Sequence, residues 1–417
     1  MFGMPRKSWF TLLLASVVSL SAGGAASGQD DSLFVPAESW SVFTAGVEYL
    51  GTTRDAKIQN PGAFIVGPDA NLANFGAADF DYQSGVRAFL GLSSEGVKIE
   101  GIFSDYGVWN YNNSGNLTDG LAFDEGLGGP WTGANSIDLT TPFIGLHSAA
   151  AAGLGGDADE SEGLGPNTTF PGDGLPSYEV FYRSRLQTFE LNLLSEDPTA
   201  HFQFGIGYRN LQLDETAGVA YSGTFRAEDF VAPNNGLSHI ALTTAGGLSF
   251  LGGTANGFED EVGNASGLAD TVTLLSEART SNDLNGIQGI FKEEIMYWRG
   301  WTIDGIVKAG VYHNQATGSV SERHSGVDPA SGGDTSVYGR SLTDSQSTLA
   351  FVGGLGLQSN LPLSNHWSFV TGYEGIFVHG VAIAPNQYDA VNSGVYNIDT
   401  HGRILAHGGN AGLQFSY

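Results

Sequence analysis

Nine ionisable residues fall on the polar side of alternating stretches of this sequence: Glu48, Arg87, Lys98, Glu100, Glu190, Arg209, Asp304, Lys308 and Glu374. Both signs of charge are present, and two chemistries follow if they face inward around a closed sheet. They pair with one another and seal the interior, because an unpaired charge in a low-dielectric space is costly, or they line a watery path for small solutes. The residues themselves leave both open. Catalysis finds no comparable support. The nine histidines include no His-Glu-x-x-His pair, the spacing that seats zinc on a helix, and no Gly-x-Ser-x-Gly elbow presents a serine nucleophile. Cysteine is absent, which removes thiolate nucleophiles, thiolate metal sites and disulfides. An enzyme is therefore not expected, and neither is a cofactor or a resident metal. His379 and His407 lie near expected strand ends and read as interface residues. Two acidic groups, Asp157, Asp159, Glu160 and Glu162, then Glu259, Asp260 and Glu261, offer oxygen ligands to a divalent cation. They match no calcium-loop spacing, and loop hydration is the simpler expectation.

The elements that must carry the nine charges are strands. Apolar residues share one parity in ten segments, at 40–50, 82–92, from Val97, 178–194, from Phe202, 284–297, 301–314, 349–358, 367–378 and 404–417. In the segment from Phe202, for example, Phe202, Phe204, Ile206 and Tyr208 oppose Gln203, Gly205, Gly207 and Arg209. This period is that of a barrel with one lipid-facing side. The expected fold is all-β: a closed antiparallel up-and-down transmembrane barrel of about ten strands, ten to twelve at the outside. Connections alternate between short turns and long loops, the latter at 51–79, 106–177, 214–283, 315–348 and 379–403. Short periplasmic turns and long extracellular loops are how such barrels are arranged, and closure removes the exposed sheet edges. Ten strands leave at most a narrow lumen, since about eight are filled by their own side chains. Aromatic residues near the segment ends, Trp40, Tyr49, Tyr208, Trp298, Trp301, Trp367, Phe377 and Tyr417, suit the membrane–water boundary.

Arg6 and Lys7 precede an apolar run at 9–20 and small residues at 22–28. That is the pattern of a secretory signal peptide over 1–28, too short to remain as a spanning helix, leaving 29–417 as one barrel domain. The 61 glycines argue against helical packing. A net charge of −27 excludes nucleic acid as a partner. The expected partners are outer-membrane lipid and the barrel-assembly machinery, with small solutes or divalent cations at the acidic loops. The ending, with Asn410, Gly412, Phe415 and Tyr417, resembles the C-terminal assembly signal of outer-membrane barrels.

Several phrases are similar to the β-barrel porin family abundant in planctomycete bacteria. They are Trp40 with Glu48-Tyr49-Leu50; Ser84-Gly85-Val86-Arg87; Ser184-x-Leu186 before Glu190-x-Asn192; and Gly207-Tyr208-Arg209-Asn210-Leu211. Further on come Asn285-Gly286 with Gln288, Lys308-Ala309-Gly310-Val311-Tyr312, Gly372-Tyr373-Glu374 and Val381-Ala382-x-Ala384-Pro385-x-Gln387. The resemblance implies an outer-membrane barrel with an assumed pore role. It assigns no catalytic residue. The expected function is thus a narrow porin or a structural surface barrel, set against a secreted soluble β-rich adhesin that binds glycan or calcium.

Overall fold

The computed structural model describes residues 40–55, 80–94, 96–116, 177–196, 201–226, 269–328, 334–388 and 395–417, with short pieces between them. Ten antiparallel strands close into a barrel: β1 Trp40–Asp55, β2 Gln83–Ser94, β3 Gly96–Asn116, β4 Ser177–Glu196, β5 Phe202–Arg226, β6 Ala269–Trp298, β7 Trp301–Asp328, β8 Asp334–Pro362, β9 Trp367–Val381 and β10 Gly402–Ser416. Each strand pairs with its neighbours in sequence, and β10 returns to β1. The barrel is therefore up-and-down, with β1 beginning and β10 ending at the short-turn side.

The closing seam joins β10 to β1. The Phe43 and Tyr417 backbones exchange hydrogen bonds of 2.8 and 2.9 Å, and Phe415 packs edge-on against Trp367 with ring centroids 5.2 Å apart. Gly412 faces Glu48 across the seam. A Cβ there would collide with the Val47 carbonyl oxygen and the Glu48 backbone, so only glycine lets the two strands approach. At the β6–β7 turn, Arg299 and Gly300 have φ of 52° and 85°. Two successive positive values make the tight mirror-image turn whose twist suits a hairpin.

The strands run well beyond the expected segments, and this corrects the loop boundaries. The stretch 315–348 is not a loop: β7 and β8 pair without interruption from Thr302–Asn360 to Asp328–Asp334, leaving 329–333 as the connection. Likewise β3 continues to Asn116, β5 to Arg226, and β6 starts at Ala269, which shortens the loops placed at 106–177 and 214–283. β1 continues to Asp55, inside the stretch placed as a loop at 51–79. The 379–403 connection contains a 3-10 turn, Ala384–Tyr388, every residue of which is buried. A membrane-crossing strand needs only about 9–11 residues, whereas β6, β7 and β8 have 30, 28 and 29.

The physical reason is a change of face along each long strand. On β5 the apolar residues Phe202, Phe204, Ile206 and Tyr208 point outward, where they are exposed. Past Tyr208 it is Leu211, Leu213, Ala217 and Val219 that are apolar, and they point inward and are fully buried. The outward positions become Asn210, Gln212 and Asp214. β6, β7 and β8 repeat the pattern, with Ile287, Val311 and Leu349 at the edge of the outward belt and Asn285, His313 and Ser347 beyond it. The barrel thus has an apolar outer wall near its short turns and an apolar inner core near its long loops. No helix among the described residues is long and apolar enough to cross a membrane. Residues 1–28 and both acidic loop groups lie outside the described residues.

Candidate functional site: a charged cavity beneath an inward plug

All nine of the inward charges named above line a single cavity of about 190 Å³ near the short-turn end. Alternation puts them there: each sits on the parity opposite the exposed apolar belt. β1, β2, β3, β9 and β10 supply one network. Arg87 bridges Glu48, at 3.1 Å, and Glu374. Ser104 Oγ accepts from Arg87 Nε at 3.1 Å, Asn410 donates to Glu48 at 2.8 Å, and Tyr106 donates to Glu374 at 3.2 Å. β4 to β7 supply the second, centred on Glu190. Glu190 accepts from Lys308 Nζ at 2.7 Å, from the Gln288 amide at 3.0 Å and from the Asn192 amide at 3.2 Å. Arg209 Nε stands 3.5 Å from the other oxygen of Glu190. Closer to the turns, Lys98 pairs with Glu100 and Lys292 with Asp304, both at 3.0 Å. Five cations face five carboxylates, which is the balance a low-dielectric interior demands. Gly354 and Gly356 leave the remaining volume open.

Above this cavity the lumen is filled. The chain after β9 folds inward, and residues 382–388 are all buried. Asn282 holds Ala382 in both directions, donating to its carbonyl at 2.8 Å and accepting from its N–H at 2.7 Å. Asn314 donates to the Gly380 carbonyl at 2.9 Å. Tyr388 OH donates to the carbonyls of Ser276 at 3.0 Å and Ala217 at 3.2 Å, and its ring stacks on Phe75. Gln387 accepts from Tyr396 OH at 2.9 Å and from the Asp399 N–H at 3.0 Å, which folds the plug onto itself. Beside it lies a buried ion pair, Arg54 with Glu215. Glu215 also accepts from Tyr182 OH at 3.0 Å and from the Ala384 N–H at 3.0 Å, so one carboxylate ties the wall to the plug.

Burial holds the Tyr182 phenol well above its ordinary value, and burial raises Tyr396 too. A phenol that keeps its proton more tightly when folded contributes stability that is full below the unfolded value, about pH 10. That contribution is lost as pH rises through the folded value. The outer half is therefore expected to loosen in alkali while Tyr182→Phe resists it, checked by near-ultraviolet circular dichroism of the barrel in detergent between pH 9 and 12. Equal alkaline loss in both proteins would contradict this.

No family model matches the chain, and no curated protein matches it. Among solved structures, the outer membrane protease OmpT from Escherichia coli superposes with a TM-score of 0.37 at 9% identity, over 93% of this chain and 99% of that one. The Pseudomonas putida toluene transporter TodX gives 0.20 at 8%, over 90% and 88%. A porin gives 0.16 at 10%, over 90% and 100%. At such values the likenesses carry nothing about activity, and the barrel rests on the strand pairing described above.

The expected boundary aromatics fall into two sets. Trp298, Trp367 and Tyr417 are exposed at the short-turn end, with Trp301 half-buried beside Trp298. Tyr49, Tyr208 and Phe377 are exposed at the far edge of the apolar belt. There Tyr49 meets the hydroxyl of Ser84 and Tyr208 donates to Asn285. Trp40 begins β1, and its side chain lies outside the described ones. Among the described residues no group of three or more His, Asp or Glu side chains could hold a metal. Sequence reasoning missed Lys292, which its parity on β6 could have given, and missed Arg54, Glu215 and the plug, which stood in stretches read as loop.

Proposed function

We propose that this protein is an outer-membrane β-barrel with a sealed lumen, a surface scaffold rather than an open porin. The observation that carries the reading is the outward belt of large apolar side chains on a closed barrel. Ile287 is 75% exposed, Leu349 74% and Ile206 70%. So wide an apolar surface destabilises a protein in water and suits hydrocarbon. The belt ends in polar side chains at one edge, where tyrosines with hydrogen-bonded hydroxyls match a headgroup boundary. Sealing follows from two barriers in series, the ion-paired cavity and the buried plug. The same belt disfavours a secreted soluble adhesin.

Two measurements test this. The protein extracted from the outer-membrane fraction should migrate faster on gels before boiling than after, and in planar bilayers it should give no steady unitary current. Recovery as soluble protein would overturn the membrane placement. A steady conductance from the intact chain would overturn the seal.

A further inference from the structure

The cavity has a chemical imbalance that its charge count hides. Each of its five carboxylates has a cationic partner: Arg87 for Glu48 and Glu374, Lys98 for Glu100, Lys308 for Glu190 and Lys292 for Asp304. The unmet demand is a donor. Arg209 is 2% exposed and lines the cavity, yet its Nε has no hydrogen-bond acceptor among the described residues. Its ion-pair partner among the described residues, Glu190, stands 3.5 Å away and is already shared with Lys308, Gln288 and Asn192. The guanidinium also meets the Tyr312 hydroxyl, but a buried Nε–H left without an acceptor is costly. A small anion in the adjoining space would supply one.

We propose that this cavity binds a small oxyanion, inorganic phosphate being the simplest, with Arg209 as the recognising fork and Lys308 as a second contact. The volume fits. About 190 Å³ is ample for one phosphate with ordered water around it. Entry is from the short-turn side. Gln203, Asn360 and Gln414 also line the cavity, and each lies within two residues of a strand end there. The opposite side is closed by the plug. A planar fork that donates two parallel hydrogen bonds favours phosphate and carboxylate over chloride.

The test is titration of inorganic phosphate into the intact barrel in detergent, followed by isothermal calorimetry and phosphorus NMR line width. One saturable site per chain is expected. Arg209→Gln should weaken it about ten- to a hundredfold, as loss of charge-assisted hydrogen bonds does, and Arg209→Lys by less. Heat-modifiable migration checks that each variant still closes. Chloride at equal ionic strength should compete poorly. Absence of saturable binding to the intact chain overturns the proposal. So does equal affinity in a closed Arg209→Gln barrel, or equal competition by chloride.

Discussion

Replacing residues 384–398 by a short glycine-serine linker is expected to open the outer half of the lumen without opening the inner half. The chain has no cysteine, so a single reporter can be placed at Ser276→Cys. That position is fully buried, and its carbonyl accepts from Tyr388 OH. In the intact barrel a membrane-impermeant maleimide should react there only through rare local opening, whose cost runs to several kcal/mol for a packed segment. With the plug removed, labelling should accelerate by about a hundredfold or more, each factor of ten matching about 1.4 kcal/mol of lost protection. Conductance should stay absent, because Arg87 and Glu190 still hold the ion-paired cavity below. Equal labelling rates with and without the segment would show that it is not the seal. A unitary current from the deletion alone would show that the charged layer is no barrier.

Why the plug and the long strands escaped the sequence reading follows from a change of apolar face along one strand. Near the short turns, an apolar belt lies outside and charge inside, so period two reads as apolar-out. Farther along β5, the interior holds Leu211, Leu213, Ala217 and Val219 and the exterior holds Asp214 and Thr216, so the phase reverses within one unbroken strand. A pattern search that keeps a single phase sees the reversal as an end. Parity did identify the charged layer, since Glu48, Lys98, Arg209 and Lys308 all reach the same cavity. It could not show that Arg87 spans to Glu374 on β9, because that contact depends on curvature and register across the barrel. The plug carries no periodicity at all. Its residues Ala384, Pro385 and Asn386 are small or turn-forming, and they are buried because Asn282, Asn314 and Glu215 satisfy the local backbone.

Glu215→Ala is expected to be among the most damaging single substitutions in the outer half of the barrel. The side chain is fully buried with Arg54, and it accepts from Arg54, Ser184, Tyr182 and the Ala384 N–H. Removing it leaves a buried guanidinium with its charge uncompensated, although the Ser184 and Tyr182 hydroxyls remain beside it. Breaking a buried pair from one side typically costs about 3–5 kcal/mol, and the orphaned Ala384 N–H adds to that. The pair itself is a different matter. Two buried charges must first be stripped of water, so Arg54→Met with Glu215→Leu should recover most of the loss despite removing more polar contacts. The double-mutant cycle isolates the coupling between the two side chains. Urea unfolding followed through a reporter at Ser276→Cys reads the outer half, while heat-modifiable migration reads the half that carries the apolar belt and should change little. If Glu215→Ala unfolds within about 1 kcal/mol of the parent, a scale at which most surface substitutions fall, then the carboxylate is not what ties the wall to the plug.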